Sequence, residues 1–537
     1  MSALPVLVRH FRSRYFDPDE VGAGGDAGLT AANLVTCLAA PGVFLPFFLL
    51  FKYLRLQGHP IDLLDAVWDD RCLFLTVAMA VTGLATLLTW DAVFPDEKDY
   101  RNLLPLPVPL RILFLAKLTA GAQLVLIFTT AASAVSTFLF PALAGEARGG
   151  DASYLRFAAA HGLALAAACL FTFLALSGVQ GLLLAVLGPS WARRLSPVAQ
   201  GLSLMSLLLL LFRLRDLRYG WRYQRPDALA WEPPLWFLQL YARVLGRQAS
   251  AAPAGWALAA AGLLFLIAYA GAYLRFASRS LGDAIAPRRR LLPPWGWLAP
   301  REPGARGVYH FALATARRSA RHRLLLSGFL GLGLALAVPA FLQDDRSLEA
   351  STPLLAVPLA LCFLLLAGLR LSFGQPAQLK AAWIFELLVV PQDQWWAGAR
   401  RACFTMVTLP IALVAFPLAV WLWGPWIAAA QLAYDLLLGA LLAELLLPSL
   451  RGLPYAHPYL PGSANLKLSI VPWILAFSGY AYGMARVELN LLTRPAALLA
   501  FLAAGTAALA LLRVQTRRRL GRVEPALRSE SALGLAD

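Results

Sequence analysis

Apolar windows of about 20 residues, long enough to cross a hydrocarbon core as a helix, recur along the whole chain. Polar, charged or proline-bearing breaks delimit twelve: 31–54, 72–94, 110–142, 157–187, 196–213, 255–278, 324–342, 353–373, 402–423, 426–449, 468–485 and 494–513. The third and fourth exceed the core thickness, which predicts tilt or an end lying in the interface. The pattern predicts an all-α, polytopic integral membrane protein. Two shorter stretches, 5–16 (PVLVRHFRSRYF) and 308–323 (VYHFALATARRSARHR), mix apolar and basic residues at helical spacing before the first and seventh windows. They read either as amphipathic helices lying in the inner interface, with arginines at the headgroups, or as ordinary basic flanks.

Composition agrees with this pattern. Of 537 residues 59% are hydrophobic and 14% charged, with a mean hydropathy of +0.63; soluble chains keep about a quarter charged. The opening MSALPVLVRHFRSRYFDPDE is too short of apolar length for a cleavable signal peptide. The net charge of +17 would suggest nucleic acid in a soluble protein. Here it reads as topology, because cytoplasmic loops collect Lys and Arg, and no nucleic-acid partner is expected. Both termini then lie inside. The densest inner loop is 279–323, with Arg288, Arg289, Arg290, Arg317, Arg318, Arg321 and Arg323. Asp62, Asp65, Asp69 and Asp70 suit an outer loop. The arginine-rich segment 213–254 falls outside against the rule, which long loops obey weakly. Cys37, Cys72, Cys169, Cys362 and Cys403 lie in or beside the windows without a CxxC pair, which argues against a disulfide framework or a zinc site.

Twelve windows divide into six and six. The expected organisation is a first six-span unit over 1–278, a basic cytoplasmic linker with the second interfacial helix over 279–323, a second unit over 324–513, and a basic tail over 514–537. An internal echo supports it. Leu103-Leu104-x-x-Pro107 is followed ten residues later by Lys117, and Leu387-Leu388-x-x-Pro391 at the same distance by Arg401. Both copies fall between the second and third windows of their half, on the cytoplasmic side.

In the first copy, Pro105, Pro107 and Pro109 interrupt the apolar run LLPLPVPLRILFLAKL just after the water-facing DEKDYR. Proline ends helices and is tolerated in their first turn, so Pro109 starts the next span and the other two keep the approach non-helical. The product is a short, partly apolar cytoplasmic elbow. It is either a tight interhelical turn or, through Leu103, Leu104 and Leu106, a docking surface.

FPDEKDYRNLLPLPVPLRILFLAKL (94–118) resembles the element between the second and third spans of type-2 ABC (ATP-binding cassette) exporter permeases: acids, a leucine pair, a proline, then a base on the next helix. ELLVVPQDQWWAGARR (386–401) is similar to a more divergent copy with Glu386 as its one acid before the leucines, and both lack the Gly-Thr dipeptide common before the leucines. The stretches before windows one and seven resemble that family's amphipathic elbow helices. The resemblance implies two permease units fused in one chain, in a bacterial inner membrane, with separate cytoplasmic ATPase subunits docking on the elbows. Asp99 and Arg101 would offer charged contacts, Leu103 and Leu104 an apolar anchor, and Pro107 stiffness, with Lys117 near the inner headgroups; Glu386, Leu387, Leu388, Pro391 and Arg401 would be the second set. The cargo would be amphiphilic, since the interior offers few fixed charges.

Catalytic motifs are missing. No GxxxxGK[ST] loop occurs, so ATP hydrolysis belongs to a partner and no cofactor is expected in this chain. LSGVQ (176–180) imitates the ATPase signature LSGGQ from within a span. The six histidines are scattered, and neither HExxH nor GxSxG occurs. Ionisable residues inside spans are expensive and informative. Asp435 and Glu444 share the tenth window nine residues apart, on roughly opposite helix faces, while Asp91, His161 and Arg370 lie near span ends. A proton-coupled secondary transporter would use Asp435 or Glu444; a helix–helix hydrogen bond or ion pair is the plainer reading. A membrane scaffold or intramembrane enzyme is the third class. Trp231, Trp236, Phe237 and Tyr241 beside Pro233-Pro234 predict a helix on the outer surface, anchored by its aromatics.

Overall fold

The computed structural model describes residues 3–15, 27–56, 60–94, 108–144, 153–214, 231–277, 296–342, 350–375, 391–447, 454–455 and 466–533. Among them every regular element is a helix and no strand occurs. Nine helices are long and apolar enough to cross a membrane, or ten if the bent pair Pro303–Arg318 and His322–Val338, meeting at 79°, is taken as one. The chain is therefore a multi-pass helical membrane protein. Contacts divide it into two units, Met1–Arg288 and Arg289–Asp537, and the dividing point falls inside the expected linker.

Five of the six windows of the first half lie on candidate spans, at Ala66–Leu88, Leu110–Ala144, Tyr154–Leu187, Leu195–Phe212 and Ala252–Arg275. Four of the second half do so, at Thr352–Phe373, Asp393–Trp423, Pro425–Leu446 and Pro495–Arg518. The first, seventh and eleventh windows are helical without joining the nine. The first carries a shorter apolar helix, Ala39–Tyr53, within a helix that holds Pro41 and Pro46. The eleventh lies on Leu466–Leu492, with a π turn inside it and Arg486 and Glu488 just past its end.

The first unit runs α1 (Ala3–Tyr15), α2 (Ala27–Leu56), α3 (Pro60–Leu88), the short α4 (Trp90–Val93), α5 (Leu110–Ala144), α6 (Tyr154–Phe212), α7 (Pro233–Val244) and α8 (Ala252–Ala277). The fourth and fifth windows share α6, and Trp90 shows that α6 turns back on itself. Its carbonyl accepts from Gln180 and its indole Nε1 donates to Ser196 Oγ at 3.0 Å. Sixteen residues of straight helix would hold those two partners about 24 Å apart. Before the bend α6 runs along α3, with Cys169 beside Ala78; after it Leu207 returns to Gly83. Gly188 and Pro189 occupy the interval, residue types at which helices bend. The LSGVQ stretch lies in this packing, with Ser177 buried and Gly178 against Leu264.

The helix α1 buries Leu7, Phe11 and Tyr15 along one face and exposes Arg9, His10 and Arg12, the stripe expected of an amphipathic interfacial helix. The expected outer helix forms as α7, but it is docked rather than merely anchored. Leu235, Phe237, Leu238 and Tyr241 are buried, while Trp231 stays 82% exposed.

The second unit runs α9 (Pro303–Arg318), α10 (Ala320–Leu342), α11 (Thr352–Phe373), α12 (Gln392–Cys403), a π turn (Phe404–Thr408), α13 (Leu409–Trp423), α14 (Pro425–Leu446), α15 (Leu466–Ser478), a second π turn (Gly479–Gly483), α16 (Met484–Leu492) and α17 (Pro495–Leu533). In α9 the buried stripe is Ala305, Val308, Tyr309, Ala312, Leu313 and Ala316, with Arg306, Arg317 and Arg318 exposed. Its core joins α9, α11, α12 and the end of α14 around Trp396 and Tyr309.

Candidate functional site

Most of the elbow lies outside the described residues: Asp99, Arg101, Leu103, Leu104 and Pro107 of the first copy, and Glu386, Leu387 and Leu388 of the second. What is described is how the chain enters and leaves each elbow. In the first unit Phe94 ends the span before it and Lys117 lies two turns into the helix after it. Lys117 is 4% exposed, so its side chain sits within the packing of the unit. Its Nζ donates to the Phe94 carbonyl at 2.8 Å and lies over the Phe11 ring of α1 at 5.1 Å. A buried ammonium requires such partners. One lysine thereby ties together both ends of the elbow and the amphipathic helix. Tyr269 of α8 extends the tie, donating to the Phe114 carbonyl at 2.6 Å and packing against Phe94.

In the second unit Pro391 caps the start of α12, its carbonyl accepting from Gln394 N at 3.0 Å and Trp395 N at 3.2 Å. Asp393 sits in that first turn, where the helix dipole favours an acid. The helix lies against α9 at Gly398, whose hypothetical Cβ would stand 2.5 Å from the Ala305 carbonyl oxygen. Arg401 reaches back to donate to the Leu298 carbonyl at 2.7 Å. Its neighbour Arg400, which the sequence did not single out, points inward over the Trp396 ring at 4.7 Å and meets Glu444 at 3.3 Å.

Glu444 is fully buried and also accepts from Arg513 Nε at 2.9 Å. It is a tie among α12, α14 and α17. Asp435, on the same helix, is equally buried, but neither of its carboxylate oxygens has a hydrogen-bond partner. Across from it lies Glu488 of α16, 0% exposed and likewise unbonded. The expected eleventh window closes at 485, and for that reason Glu488 escaped notice; an acid flanked by Val487 and Leu489 was the available signal.

In the first unit the buried ionisable side chains Asp70, Arg71 and His161 have partners. Asp70 accepts from Lys52 Nζ at 2.8 Å and Tyr53 at 2.8 Å. Arg71 is clasped between the Phe157 and Tyr241 rings, at 4.8 Å from each, and burial pushes the Tyr241 hydroxyl above its ordinary range while the nearby guanidinium opposes that shift. His161 lies between Ser136 and Tyr241, 3.4 Å from each. Arg370 donates to the Leu446 carbonyl at 3.0 Å, and the Asp91 side chain lies outside the described residues. Cys72, Cys169, Cys362 and Cys403 are buried free thiols. Among the described residues no three His, Cys, Asp or Glu side chains gather as metal ligands.

Comparison of the chain with protein-family models, with curated proteins and with solved structures returned no match.

Proposed function

We propose that the chain is the permease of an ATP-driven exporter of the type-2 ABC kind, two six-span units in one polypeptide, moving an amphiphilic or lipid-like cargo across a bacterial inner membrane. Separate cytoplasmic ATPase subunits would supply the energy by pressing on the elbows. The observation that carries this reading is a packing arrangement present in both units. In each, an amphipathic helix lies against the helix that follows the Leu-Leu-x-x-Pro stretch: α1 on α5, and α9 on α12. In each, the base ten residues after that proline bonds a main-chain carbonyl, Lys117 to Phe94 and Arg401 to Leu298. A displacement of the first elbow would pass through Lys117 to Phe94 at the end of α4 and to α1 together, as rigid-body coupling requires. In the second unit Glu444 would spread the same displacement through Arg400 and Arg513 to α14 and α17.

The test is co-purification with an ATPase encoded beside this chain. Leu103→Asp/Leu104→Asp is expected to abolish ATPase association and transport while the permease still folds into the membrane. Full association and transport in that variant would overturn the docking role.

A further inference from the structure

Three oxygen-bearing side chains gather beside Tyr480 inside the second unit with oxygens that lack hydrogen-bond partners among the described residues. Asp435 is 5% exposed, Glu488 0% and Gln431 3%. All four carboxylate oxygens and the Gln431 amide oxygen are unbonded, and the buried Tyr480 hydroxyl has only the weak Cys362 thiol beside it. They belong to one place. The Tyr434 hydroxyl donates to the Met484 carbonyl at 2.9 Å, which fixes α14 against α16. Asp435 follows Tyr434, and Glu488 stands one turn beyond Met484. Gln431 precedes Asp435 by four residues, on the same helix face. Asp435 interacts electrostatically with both Glu488 and Tyr480.

The backbone around this cluster is specialised. The π turn Gly479–Gly483 carries Tyr480 and leads directly into α16. The other π turn ends at Thr408, whose hydroxyl lies 3.8 Å from Cys362 Sγ and which packs against Gly439, one turn beyond Asp435. Such turns are rare single-turn insertions and are frequent at functional sites.

Among the described residues no base serves the pair. Arg400 and Arg513 are engaged by Glu444, about 13 Å farther along α14. Arg486 is exposed and stands about 200° around α16 from Glu488. Arg370 bonds the Leu446 carbonyl, and Arg494 is exposed. Arg517 and Arg518 of α17 are exposed, and Arg517 lies toward Arg400; Cys362, Cys403, Tyr434, Tyr480 and Tyr482 bring no positive charge. Two bare carboxylates buried this deeply would each cost several kcal/mol. The cluster presents lone pairs with no charged donor to meet them, which is the chemistry of a cation site.

We propose that Asp435 and Glu488 form an intramembrane monovalent-cation site. One carboxyl holds a proton and donates it to the other. The remaining charge is balanced either by a second proton or by an alkali-metal ion held by the partner carboxylate, Gln431 Oε1 and the Tyr480 hydroxyl. The site is independent of the elbow, and its test reads ion occupancy rather than transport.

The test treats the purified full-length protein in lipid nanodiscs with dicyclohexylcarbodiimide, which attacks protonated carboxyls in apolar surroundings, and reads the labelled peptides by mass spectrometry. In choline chloride at mildly acidic pH, Asp435 or Glu488 is expected to be labelled, while the arginine-paired Glu444 is not. If sodium at constant pH and ionic strength suppresses labelling, an alkali-metal ion occupies the site; at ten times its dissociation constant the loss is about tenfold. If only raising the pH suppresses it, both occupants are protons. Either result supports the site. A second measurement follows the thermal midpoint, which is expected to depend on the same ion in the wild type and to lose that dependence in Asp435→Asn/Glu488→Gln. Absence of label at both acids, labelling indifferent to pH and sodium, suppression by calcium alone, or an ion dependence retained in the double variant would each overturn the proposal.

Discussion

At the scale of single residues, the second unit contrasts two buried acids on one helix. Glu444 is gripped by Arg400 and Arg513, with side-chain exposures of 21% and 41%. Breaking a buried ion pair from one side strands the other charge, at about 3–5 kcal/mol, whereas exposed pairs contribute about 0–1 kcal/mol. Each variant leaves Glu444 its other arginine, so the losses fall below the stranded-charge figure: Arg400→Leu is expected to lower stability by about 1–3 kcal/mol and Arg513→Leu by about 1 kcal/mol or less, read by unfolding in mixed micelles. Equal losses would mean that Glu444 does not distinguish the two. Sequence reading found Glu444 and Asp435 as acids inside a span and could go no further, since partner choice depends on helices far apart in the chain. Arg513 lies 69 residues from Glu444, and no local spacing announces that contact. Lys117 gives the same lesson: its position after the elbow was legible, its burial beneath Phe11 was not.

At the scale of elements, the amphipathic helices were legible because 3.6-residue periodicity is written locally. Burial of Leu7, Phe11 and Tyr15 in α1 and of Val308, Tyr309 and Ala312 in α9 follows that stripe. The docking of α9 on α12 was not legible, because it depends on one missing side chain. At Gly398 a Cβ would press on the Ala305 main chain, which cannot swing aside as a flexible side chain would. Gly307, on the facing helix, has nothing within 4 Å of its hypothetical Cβ. The same substitution should therefore act with opposite sign across one contact. Gly398→Ala is expected to destabilise by about 1–3 kcal/mol through overpacking. Gly307→Ala is expected to stabilise by up to about 1 kcal/mol through helix propensity. Thermal midpoints of the two variants beside wild type check both signs; a Gly398→Ala protein as stable as wild type would mean the helices do not rely on this close approach.

At the scale of the whole molecule, the number of crossings decides where the C-terminus lies. The twelve apolar windows and the nine candidate spans differ at three places. Each of the three is long enough in backbone: α2 has 30 residues, α10 has 23, and Leu466–Leu492 has 27, against about 20 needed. Each also carries an apolar window, over 31–54, 324–342 and 468–485, in which Lys52 is the one charged residue. If all three cross, the count is even and both termini share a side, the side where basic loops place them. A fluorescent-protein fusion at each end, which matures only in the cytoplasm, is expected to be bright at both. Fusions ended after Leu447 and after Leu492 then isolate the segment that carries Glu488, and exactly one of these two should fluoresce. If both behave alike, Leu466–Leu492 does not cross, the C-terminus changes sides, and Glu488 enters the membrane on a re-entrant helix rather than a span.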